Sequence, residues 1–397
     1  MYSLVLKADI VYGETKRNGT TSIHHMKDQA KVIQTASPET TDFQPISWQK
    51  MLLKATALSL LFTFIMLLVT ALGLGIFAYN KLSQFFSVSG LSFSESKEMI
   101  EQGINQAPTQ TNGKTTILIL GIDTVENKAG APPLTDTMLL ASINYQNAEV
   151  TLLSLPRDLW SEEYRTKINA LYFYGQEKYP DKPQQFPTEV VATMTGVPIH
   201  HTLVFSLDSI AELVDILGGI DVEVPQSFVD TEFPREDVAI ESTTDPTLLY
   251  ETVEFTAGTE HMTAERVTKY IRSRHSEGTT GTDIDRSTRQ QLVITSLISK
   301  VTSRDVLTDP ILVGNLYKWY QERISSYIST TEAISIGYGL FPQRNNLEFS
   351  PVSLPIKPDD PNGVIEHLPP AQTDNQWTYS VTEPTVFKSK VQDILIK

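Results

Sequence analysis

Guanidinium groups are concentrated in one stretch of eighteen residues in the second half of the chain: Arg272, Arg274, Arg286 and Arg289. The planar fork of arginine, with its five N–H donors, suits the oxygens of phosphate groups. Because the chain as a whole is markedly acidic, this concentration predicts a specific pocket for an anion. A solvated loop with surface salt bridges is the alternative interpretation.

The later two of these arginines fall on a predicted helix over residues 283–301. Its apolar stripe repeats every fourth residue, at Val293, Leu297 and Val301. Extended backwards, the stripe reaches Arg286, Arg289 and Gln290, because residues three and four apart share one face of a helix. Burying an unpaired guanidinium costs several kcal/mol. Either Asp283 or Asp285 therefore pairs with these side chains, or this face lines a polar cavity that holds an anion.

Acidic residues and a fifth arginine stand at the ends of predicted strands. Asp123 follows the strand at residues 116–120, Asp136 precedes the strand at 138–143, and Arg157 and Asp158 follow the strand at 150–155. Side chains at strand ends are where α/β folds usually place their ligands. Two carboxylates from neighbouring strands suit a hard divalent cation, so Asp123 and Asp136 are a candidate Mg²⁺ site. The alternative is that each aspartate caps a helix or a turn.

These side chains are carried by strands and helices that alternate along the chain. Short apolar runs bounded by turn residues predict strands at residues 116–120, 138–143, 150–155, 202–206 and 220–224. Helices are predicted at residues 92–104, 189–195, 209–217, 263–274 and 283–301. The alternation indicates an α/β fold in which a mixed central β-sheet is flanked by helices, and this domain begins near Thr115.

One segment indicates a membrane protein. Residues 55–79 are 25 residues without a charge, mostly Leu, Phe, Ile, Val and Ala. At a rise of about 1.5 Å per residue they span roughly 37 Å, which exceeds a hydrocarbon core of about 30 Å. A buried core helix is the alternative, but such a helix rarely runs this long without a polar stripe. The run begins too late for a cleaved signal peptide, so a single permanent transmembrane helix is expected.

The charges beside this segment predict its orientation. Residues 1–54 carry seven Lys or Arg against five Asp or Glu, and Lys50 and Lys54 adjoin the apolar run. The positive-inside rule then places the N-terminus in the cytoplasm and the following domain outside it. The predicted parts are a weakly ordered cytoplasmic tail (1–54), the transmembrane helix (55–79), an extracytoplasmic stalk or linker (80–114), the main α/β domain (115–350) and a peripheral C-terminal region (351–397).

The composition excludes several classes of protein. Lys and Arg number 32 against 47 Asp and Glu, a formal net charge of −15, whereas nucleic-acid binders need a broad basic surface. The chain has no cysteine, which excludes disulfides, thiol nucleophiles and thiolate metal sites. The sequence also lacks GxSxG, HExxH and the common phosphate-loop motifs. The residues support a membrane-anchored site, built of arginine and aspartate, for a phosphorylated ligand.

Seven segments follow one another within roughly residues 115–301: ILILGID, TDTMLLASIN, VTLLSLPRDLW, KINALYFYG, LVDILGGIDVEV, AGTEHMTAERVTKYIRSRH and TDIDRSTRQQ. In this order they resemble the LytR-CpsA-Psr family of cell-wall glycopolymer ligases. Members of this family transfer a phosphoglycan from an undecaprenyl-pyrophosphate carrier to a hydroxyl of peptidoglycan and release undecaprenyl phosphate. The resemblance implies the α-β-α arrangement of the family and the same reaction for this chain.

The resemblance also implies roles for individual residues. Asp123 and Asp136 would be the acidic residues tied to Mg²⁺ and the diphosphate, and Asp136 is a candidate general base for the acceptor hydroxyl. The residues that match the family's pyrophosphate-binding positions are Arg157, Arg272, Arg274, Asp283, Arg286, Arg289 and Gln290. The residues that would take part directly in catalysis are Asp136, Arg157, Arg286 and Arg289.

Two departures from the family's pattern concern phosphate binding. Leu134 and Thr135 stand where the family often has an arginine before the second aspartate, and residues 124–134 lack the basic residue often found after the first. One phosphate contact is therefore missing or supplied elsewhere, which bears on affinity and glycan preference more than on reaction class.

Two other functions remain open from the residues alone. The first is a lipid pyrophosphatase, in which water replaces the sugar hydroxyl. The second is a non-catalytic envelope receptor or regulator that binds a polyprenyl phosphate. A DNA-binding regulator fits least well, because the chain is acidic and its main domain is expected outside the cytoplasm.

Overall fold

A computed structural model of the protein describes residues 47–122, 133–235, 245–274, 283–367, 369, 371 and 376–396. The helices are α1 (Trp48–Ser89), α2 (Phe93–Asn105), α3 (Leu171–Lys178), α4 (Gln185–Thr195), α5 (Leu207–Ile216), α6 (Ala264–Arg272), α7 (Asp283–Val301), α8 (Arg304–Leu307), α9 (Pro310–Arg323), α10 (Thr330–Leu340) and α11 (Pro384–Leu395). The strands are β1 (Lys114–Ile122), β2 (Thr135–Asn144), β3 (Glu149–Ser154), β4 (Trp160–Ser161), β5 (Thr166–Lys167), β6 (His201–Ser206), β7 (Ile220–Val224), β8 (Phe228–Pro234), β9 (Tyr250–Phe255), β10 (Gly258–Met262), β11 (Glu348–Ser353), β12 (Ile356–Lys357), β13 (Ile365–His367) and β14 (Tyr379–Val381).

A five-stranded mixed sheet lies at the centre of the domain, in the order β11-β3-β2-β1-β6. β2 pairs antiparallel with both β1 and β3, whereas β6 runs parallel to β1 and β11 runs parallel to β3. The strands are near-continuous apolar runs because both faces of the sheet are covered. Leu118 and Leu120 pack in one core with residues of α3, α4 and α11, and Ile117 packs in another with α10. The predicted α/β fold with helices flanking a mixed sheet is confirmed.

A third core forms around two short ladders, β7 with β10 and β8 with β9. Their inward side chains, among them Val222, Phe233 and Phe255, pack with residues of α5, α6, α7 and α9. The predicted strand at residues 220–224 is present as β7, but it pairs with β10 and not with the central sheet. This core holds α6 and α7 beside the sheet, and these two helices carry three of the predicted arginines, Arg272, Arg286 and Arg289.

The long apolar segment forms part of α1, which extends beyond the predicted residues 55–79 on both sides. Among the described residues, α1 is the helix whose length and composition would allow it to cross a membrane. The chain falls into two units, Met1–Val69 and Thr70–Lys397, so the described residues of the first unit belong to α1 apart from Ser47.

Part of the predicted stalk or linker, residues 80–114, packs against the domain. α2 begins at a capping box, in which Ser92 and Glu95 each accept the other's backbone N–H. It packs on α10 so closely that a Cβ placed at Gly103 would lie 2.6 Å from Ile334. Beyond α2, the Gln106 amide and the Thr109 backbone N–H donate to the buried Glu332 carboxylate at 2.8 and 2.7 Å. Residues 93–109 are therefore part of the folded domain.

The C-terminal region, predicted to be peripheral, contributes to the central core. β11 is an edge strand of the central sheet. α11 buries Phe387, Val391 and Leu395, spaced by four, in the core that contains α3 and α4. The Ser142 hydroxyl of β2 also donates to the Leu395 carbonyl oxygen at 2.7 Å. The region packs inward because one face of α11 is wholly apolar, a short pattern that the prolines around it obscure.

Candidate active site

Two arginines from distant parts of the chain bind the two oxygens of one carboxylate. Arg157 Nη1 donates a short hydrogen bond to Asp136 Oδ1. Arg274 Nη2 donates to Asp136 Oδ2 at 3.2 Å. These residues are 21 and 138 positions from Asp136 in the sequence. The folded chain therefore brings the predicted LPRD arginine and the second arginine of the RSR segment to one carboxylate.

The register of the sheet explains the first of these contacts. Leu139 of β2 lies opposite Ser154 of β3 in an antiparallel pair. Asp136 precedes Leu139 by three residues, and Arg157 follows Ser154 by three residues. Antiparallel pairing therefore carries both side chains to the same edge of the sheet. Arg274 reaches this edge from the segment that follows α6.

Three cations act on the Asp136 carboxylate. Burial on its own would raise the pKa of Asp136, because the charged form loses solvation. The positive charges of Arg157, Arg274 and Arg286, together with the hydrogen bond from Arg157, outweigh this effect and hold the pKa below its usual value. Asp136 is therefore an anion at neutral pH. Three guanidiniums surround this single carboxylate, so the group as a whole is cationic.

Arg286 and Arg289 of α7 are both buried but occupy different places. Arg286 is 3% exposed and lines the cavity beside Asp136. Arg289 is 4% exposed, lies 4.9 Å from the centre of the Phe228 ring, and donates a short hydrogen bond to the Ser273 carbonyl oxygen. Arg289 is not among the described side chains that line the cavity. Its hydrogen bond holds the backbone between Arg272 and Arg274.

Burial lowers the pKa of Arg289 below that of an ordinary guanidinium. The nearby groups Tyr270, Asp285 and Asp230 act in the opposite direction and favour the charged form. An arginine in this setting is a fixed part of the structure, since its charge has been withdrawn from water and compensated locally. This environment differs from that of a side chain that must meet an incoming phosphate.

A buried aspartate that the sequence did not predict also holds the backbone at Arg274. Asp230 of β8 is fully buried, and its two oxygens accept the backbone N–H groups of Arg274 at 3.0 Å and Glu232 at 3.1 Å. The segment FVDTEFP alternates, so Asp230 shares the inward face of β8 with Phe228. The signal in the sequence that identifies Asp230 is a carboxylate at an inward position of an alternating strand.

A second ion pair fixes the base of Arg157. The buried Asp158 accepts the Lys167 ammonium at 2.6 Å and lies 3.5 Å from Arg157 Nε. Asp158 therefore contacts Arg157 at Nε, whereas Asp136 contacts it at Nη1. Asp158 holds the arginine stem and the β4–β5 hairpin together, which leaves the Arg157 fork directed at Asp136.

A cavity of about 330 Å³ opens beside Asp136. Its charged and amide lining residues are Asp136, Arg272, Arg274, Arg286 and Gln290. Its apolar lining includes Leu203, Phe205, Ile210, Leu213, Val293, Leu297, Trp319 and Ile324. Along α7 the lining changes from Arg286 and Gln290 to Val293 and Leu297 over eleven residues, or roughly 16 Å of helix. The cavity therefore suits a molecule with an anionic head and a hydrocarbon tail.

The other predicted site residues are placed as follows. Arg272 and Gln290 line the cavity, and the Arg272 guanidinium lies 5.7 Å from the centre of the Phe233 ring. Asp283 begins α7, but its side chain is not among those the structure describes, and Asp123 lies outside the described residues. The structure thus brings Asp136, Arg157, Arg272, Arg274, Arg286 and Gln290 together and sets Arg289 behind them.

The described residues can be compared with what magnesium requires. They contain no group of three His, Cys, Asp or Glu side chains that would hold a metal ion. Asp136 itself has the hard oxygen donors that magnesium prefers, and it is ionised. Magnesium is commonly held by one or two carboxylates together with substrate phosphates, and Asp136 fits that kind of site.

The sequence of the chain is similar to those of teichoic acid transferases. The sequence is 24% identical over 218 residues to the polyisoprenyl-teichoic acid–peptidoglycan teichoic acid transferase TagU of Enterococcus faecalis. The aligned region covers 53% of this chain and 62% of that protein. It is 23% identical over 227 residues to the corresponding transferase TagV of Bacillus subtilis, which covers 56% of this chain and 51% of that protein. The aligned regions thus span between about half and three fifths of the length of these two relatives.

The chain is also similar to a solved structure and to a family profile. The crystal structure of B. subtilis TagV matches with a TM-score of 0.49 and 20% sequence identity, over 72% of this chain and 98% of that one. The sequence profile of the LytR_cpsA_psr family matches residues 85–382, about three quarters of the chain. The chain, with its arginine-lined cavity, therefore belongs to the LytR_cpsA_psr family.

Proposed function

We propose that this protein is a membrane-anchored transferase that moves a phosphoglycan from an undecaprenyl-pyrophosphate carrier to a hydroxyl of peptidoglycan. The observation that carries the proposal is the cavity that joins a cluster of guanidiniums to a long apolar lining. A polyprenyl diphosphate has the matching chemistry, two phosphoryl groups on a hydrocarbon chain. The relatives TagU and TagV are named as transferases of polyisoprenyl-linked teichoic acid to peptidoglycan.

The arginines supply the electrostatic part of the reaction. The acceptor oxygen attacks the phosphorus that carries the glycan, a new P–O bond forms, and the bond to the bridging oxygen breaks. Undecaprenyl phosphate leaves with the electron pair of that bond. Arg157, Arg274 and Arg286 already surround one anion, so they are arranged to stabilise the charge that develops on the phosphoryl oxygens without reorganisation.

Asp136 is the described carboxylate that can receive the proton of the acceptor hydroxyl. In the free protein its pKa is held down by three guanidiniums. A diphosphate that binds Arg157 and Arg274 competes for the same donors, which weakens their hold on Asp136 and makes it more basic. In this proposal the donor substrate activates the base, so acceptor deprotonation follows donor binding.

Magnesium would be held by Asp123, one oxygen of Asp136 and the substrate phosphates, which would leave the other Asp136 oxygen for the acceptor proton, and it would add positive charge beside the phosphoryl oxygens. In the same proposal α1 anchors the protein in the membrane, with the N-terminus in the cytoplasm and the domain outside. This orientation follows from the excess of Lys and Arg in residues 1–54. Chelation of divalent ions should abolish turnover, and restoration by Mg²⁺ is the result that supports the metal.

The test uses the full-length protein in detergent with a polyprenyl-pyrophosphoryl glycan and a peptidoglycan acceptor. Arg157→Ala and Arg286→Ala should each lower kcat by about 100-fold to 1,000-fold, as when one charge-stabilising donor is lost. Arg323→Ala is the matched control, because Arg323 is exposed and its ion pair is with Glu212 on another part of the surface. If both cluster variants were folded and turned over at the wild-type rate, the assignment would be wrong.

The same assay separates the two alternatives. A lipid pyrophosphatase would release the glycan phosphate with or without acceptor, because water is then the nucleophile. A receptor would bind the lipid tightly and form no product. Formation of a glycan–peptidoglycan phosphodiester only when the acceptor is present is the result that supports the transferase.

A further inference from the structure

A second pocket lies on the surface formed by the β4–β5 hairpin, α3 and the start of α4. It has a volume of about 480 Å³, and its lining residues are Tyr164, Thr166, Tyr174, Glu177, Lys178 and Phe186. None of them belongs to the arginine cluster. We propose that this pocket binds a neutral saccharide of the acceptor glycan and so positions the acceptor for the transfer reaction. The proposal deepens the proposed function and rests on it.

Two aromatic side chains that line this pocket are in contact with water. Tyr164 is 40% exposed and Tyr174 is 46% exposed. Tyr164 meets the Phe186 ring edge to face at 4.9 Å, and Tyr174 meets the Phe173 ring in a similar way at 5.4 Å. Single exposed aromatic side chains are ordinary on a protein surface, whereas two that line one pocket indicate a binding surface.

The chemistry of the pocket matches a sugar ring. The C–H bonds on one face of a pyranose carry slight positive charge and rest well on the negative face of an aromatic ring. The hydroxyl and amide groups at the edge of the sugar then need donors and acceptors placed around that ring. The Thr166 hydroxyl, the Glu177 carboxylate and the Lys178 ammonium line the pocket and supply both kinds. Lys178 is held in place by the Phe186 ring at 4.3 Å and by Glu189 at 3.6 Å.

The charge of this region favours a neutral ligand over an anionic one. Glu177 lines the pocket, Glu162 and Glu163 are exposed with Arg165 in the turn of the hairpin, and Glu189 pairs with Lys178. These four carboxylates outnumber the two cations Arg165 and Lys178, and the excess negative charge disfavours a glycan rich in phosphate groups and an anionic membrane surface. The uncharged sugar backbone of a peptidoglycan strand meets neither penalty.

The pocket is built on the same backbone as the catalytic cluster. The Asn169 N–H donates to the Arg157 carbonyl oxygen at 3.2 Å, and the Asn169 carbonyl oxygen accepts the Thr135 hydroxyl at 3.1 Å. Thr166 precedes Asn169 by three residues, so its Cα lies within about 11 Å of this junction even if the chain is fully extended. An oligosaccharide of several sugars that occupies the pocket can therefore extend toward the phosphoryl group held by Arg157.

The experiment measures binding of an N-acetylglucosamine tetrasaccharide to the full-length protein in detergent by isothermal titration calorimetry. The wild-type protein should bind it, and Tyr174→Ala should raise Kd by about tenfold, the size expected for one lost aromatic contact. Tyr174→Phe keeps the ring and should bind like the wild type. Tyr338→Ala removes an exposed aromatic residue of α10 and serves as the matched control.

Several results would overturn the proposal. No binding of the tetrasaccharide to the wild type, or equal binding by Tyr174→Ala, would show that the pocket is not a saccharide site. Quenching of a Tyr174→Trp variant by brominated lipid in nanodiscs, beyond that of the parent protein, would show that the patch contacts the membrane instead. Binding of the lipid donor, measured with the same variants, tests the arginine cluster separately. Tyr174→Ala should leave donor binding unchanged.

Discussion

Asp230→Ala should lower the free energy of unfolding by about 3–5 kcal/mol, the usual cost of removing one partner of a buried ionic contact. The carboxylate is fully buried and accepts the backbone N–H groups of Arg274 and Glu232. It also acts electrostatically on the buried guanidinium of Arg289. Alanine would leave two N–H groups without this acceptor and would remove a negative charge beside a buried positive one.

Asp230→Asn separates the hydrogen bonds from the charge. The amide oxygen still accepts one N–H group, so the expected loss of about 1–3 kcal/mol lies between the wild type and alanine. Urea unfolding of the full-length protein in detergent, followed by tryptophan fluorescence, measures this, because Trp319 is buried in the same core. Asp215→Ala on an exposed position of α5 is the matched control, and it should stay within about 0.5 kcal/mol of the wild type.

Turnover distinguishes a positioning role from a purely structural one. Asp230 holds the backbone of Arg274, and Arg274 contacts Asp136 in the catalytic cluster. At a temperature where Asp230→Asn is fully folded, its kcat should fall more than its affinity for the lipid donor. An Asp230→Ala protein that unfolds at the wild-type urea concentration and keeps the wild-type kcat would refute this account of the arginine segment.

Three further predictions concern packing and pH. Gly103→Ala should destabilise the protein by about 1–3 kcal/mol, because its Cβ would overlap Ile334, whereas Gly337→Ala in open space should not; equal melting temperatures would contradict this. Because the pKa of Asp136 is lowered in the folded protein, its contribution to stability is present above the unfolded pKa near 3.8 and is lost as the pH falls through the folded value. Asp136→Asn should therefore flatten that acid limb in pH-dependent unfolding, and an unchanged limb would count against it. Burial raises the pKa of Tyr270 to about 12, and its hydroxyl has no hydrogen-bond partner among the described residues, so Tyr270→Phe should leave thermal stability equal or higher.

Local patterns predicted the elements that carry the site. The apolar runs of β1, β2 and β3 and the strand β7 were found within a few residues of their observed bounds, because buried strands need continuous or alternating apolar side chains. The helices α6 and α7 were found for a similar reason, since each keeps one apolar face over several turns. Which strands pair was not readable: β7 joins β10 and β11 joins β3, and both pairings depend on distant parts of the chain.

The site shows the same division. Residue type and spacing selected Arg274 and Arg286 for an anion pocket and Asp136 for a metal site, and the family resemblance assigned Arg157 to phosphate. The structure brings these four side chains together. Residue type did not separate Arg286, which lines the cavity, from Arg289, which supports the RSR segment. Both arginines lie on the extended apolar stripe of one helix, so periodicity treats them alike.

The sequence by itself determined the membrane-length helix, the alternating elements and the concentration of arginine in an acidic chain. These properties are local, because they depend on side-chain type and on the fixed periods of helix and strand. Only the tertiary structure decided that Asp136 receives two guanidiniums, that Asp230 holds Arg274, and that an apolar cavity begins where the charges end. These contacts join residues far apart along the chain. Their geometry is set by how strands pair and helices pack, and no spacing in the sequence records it.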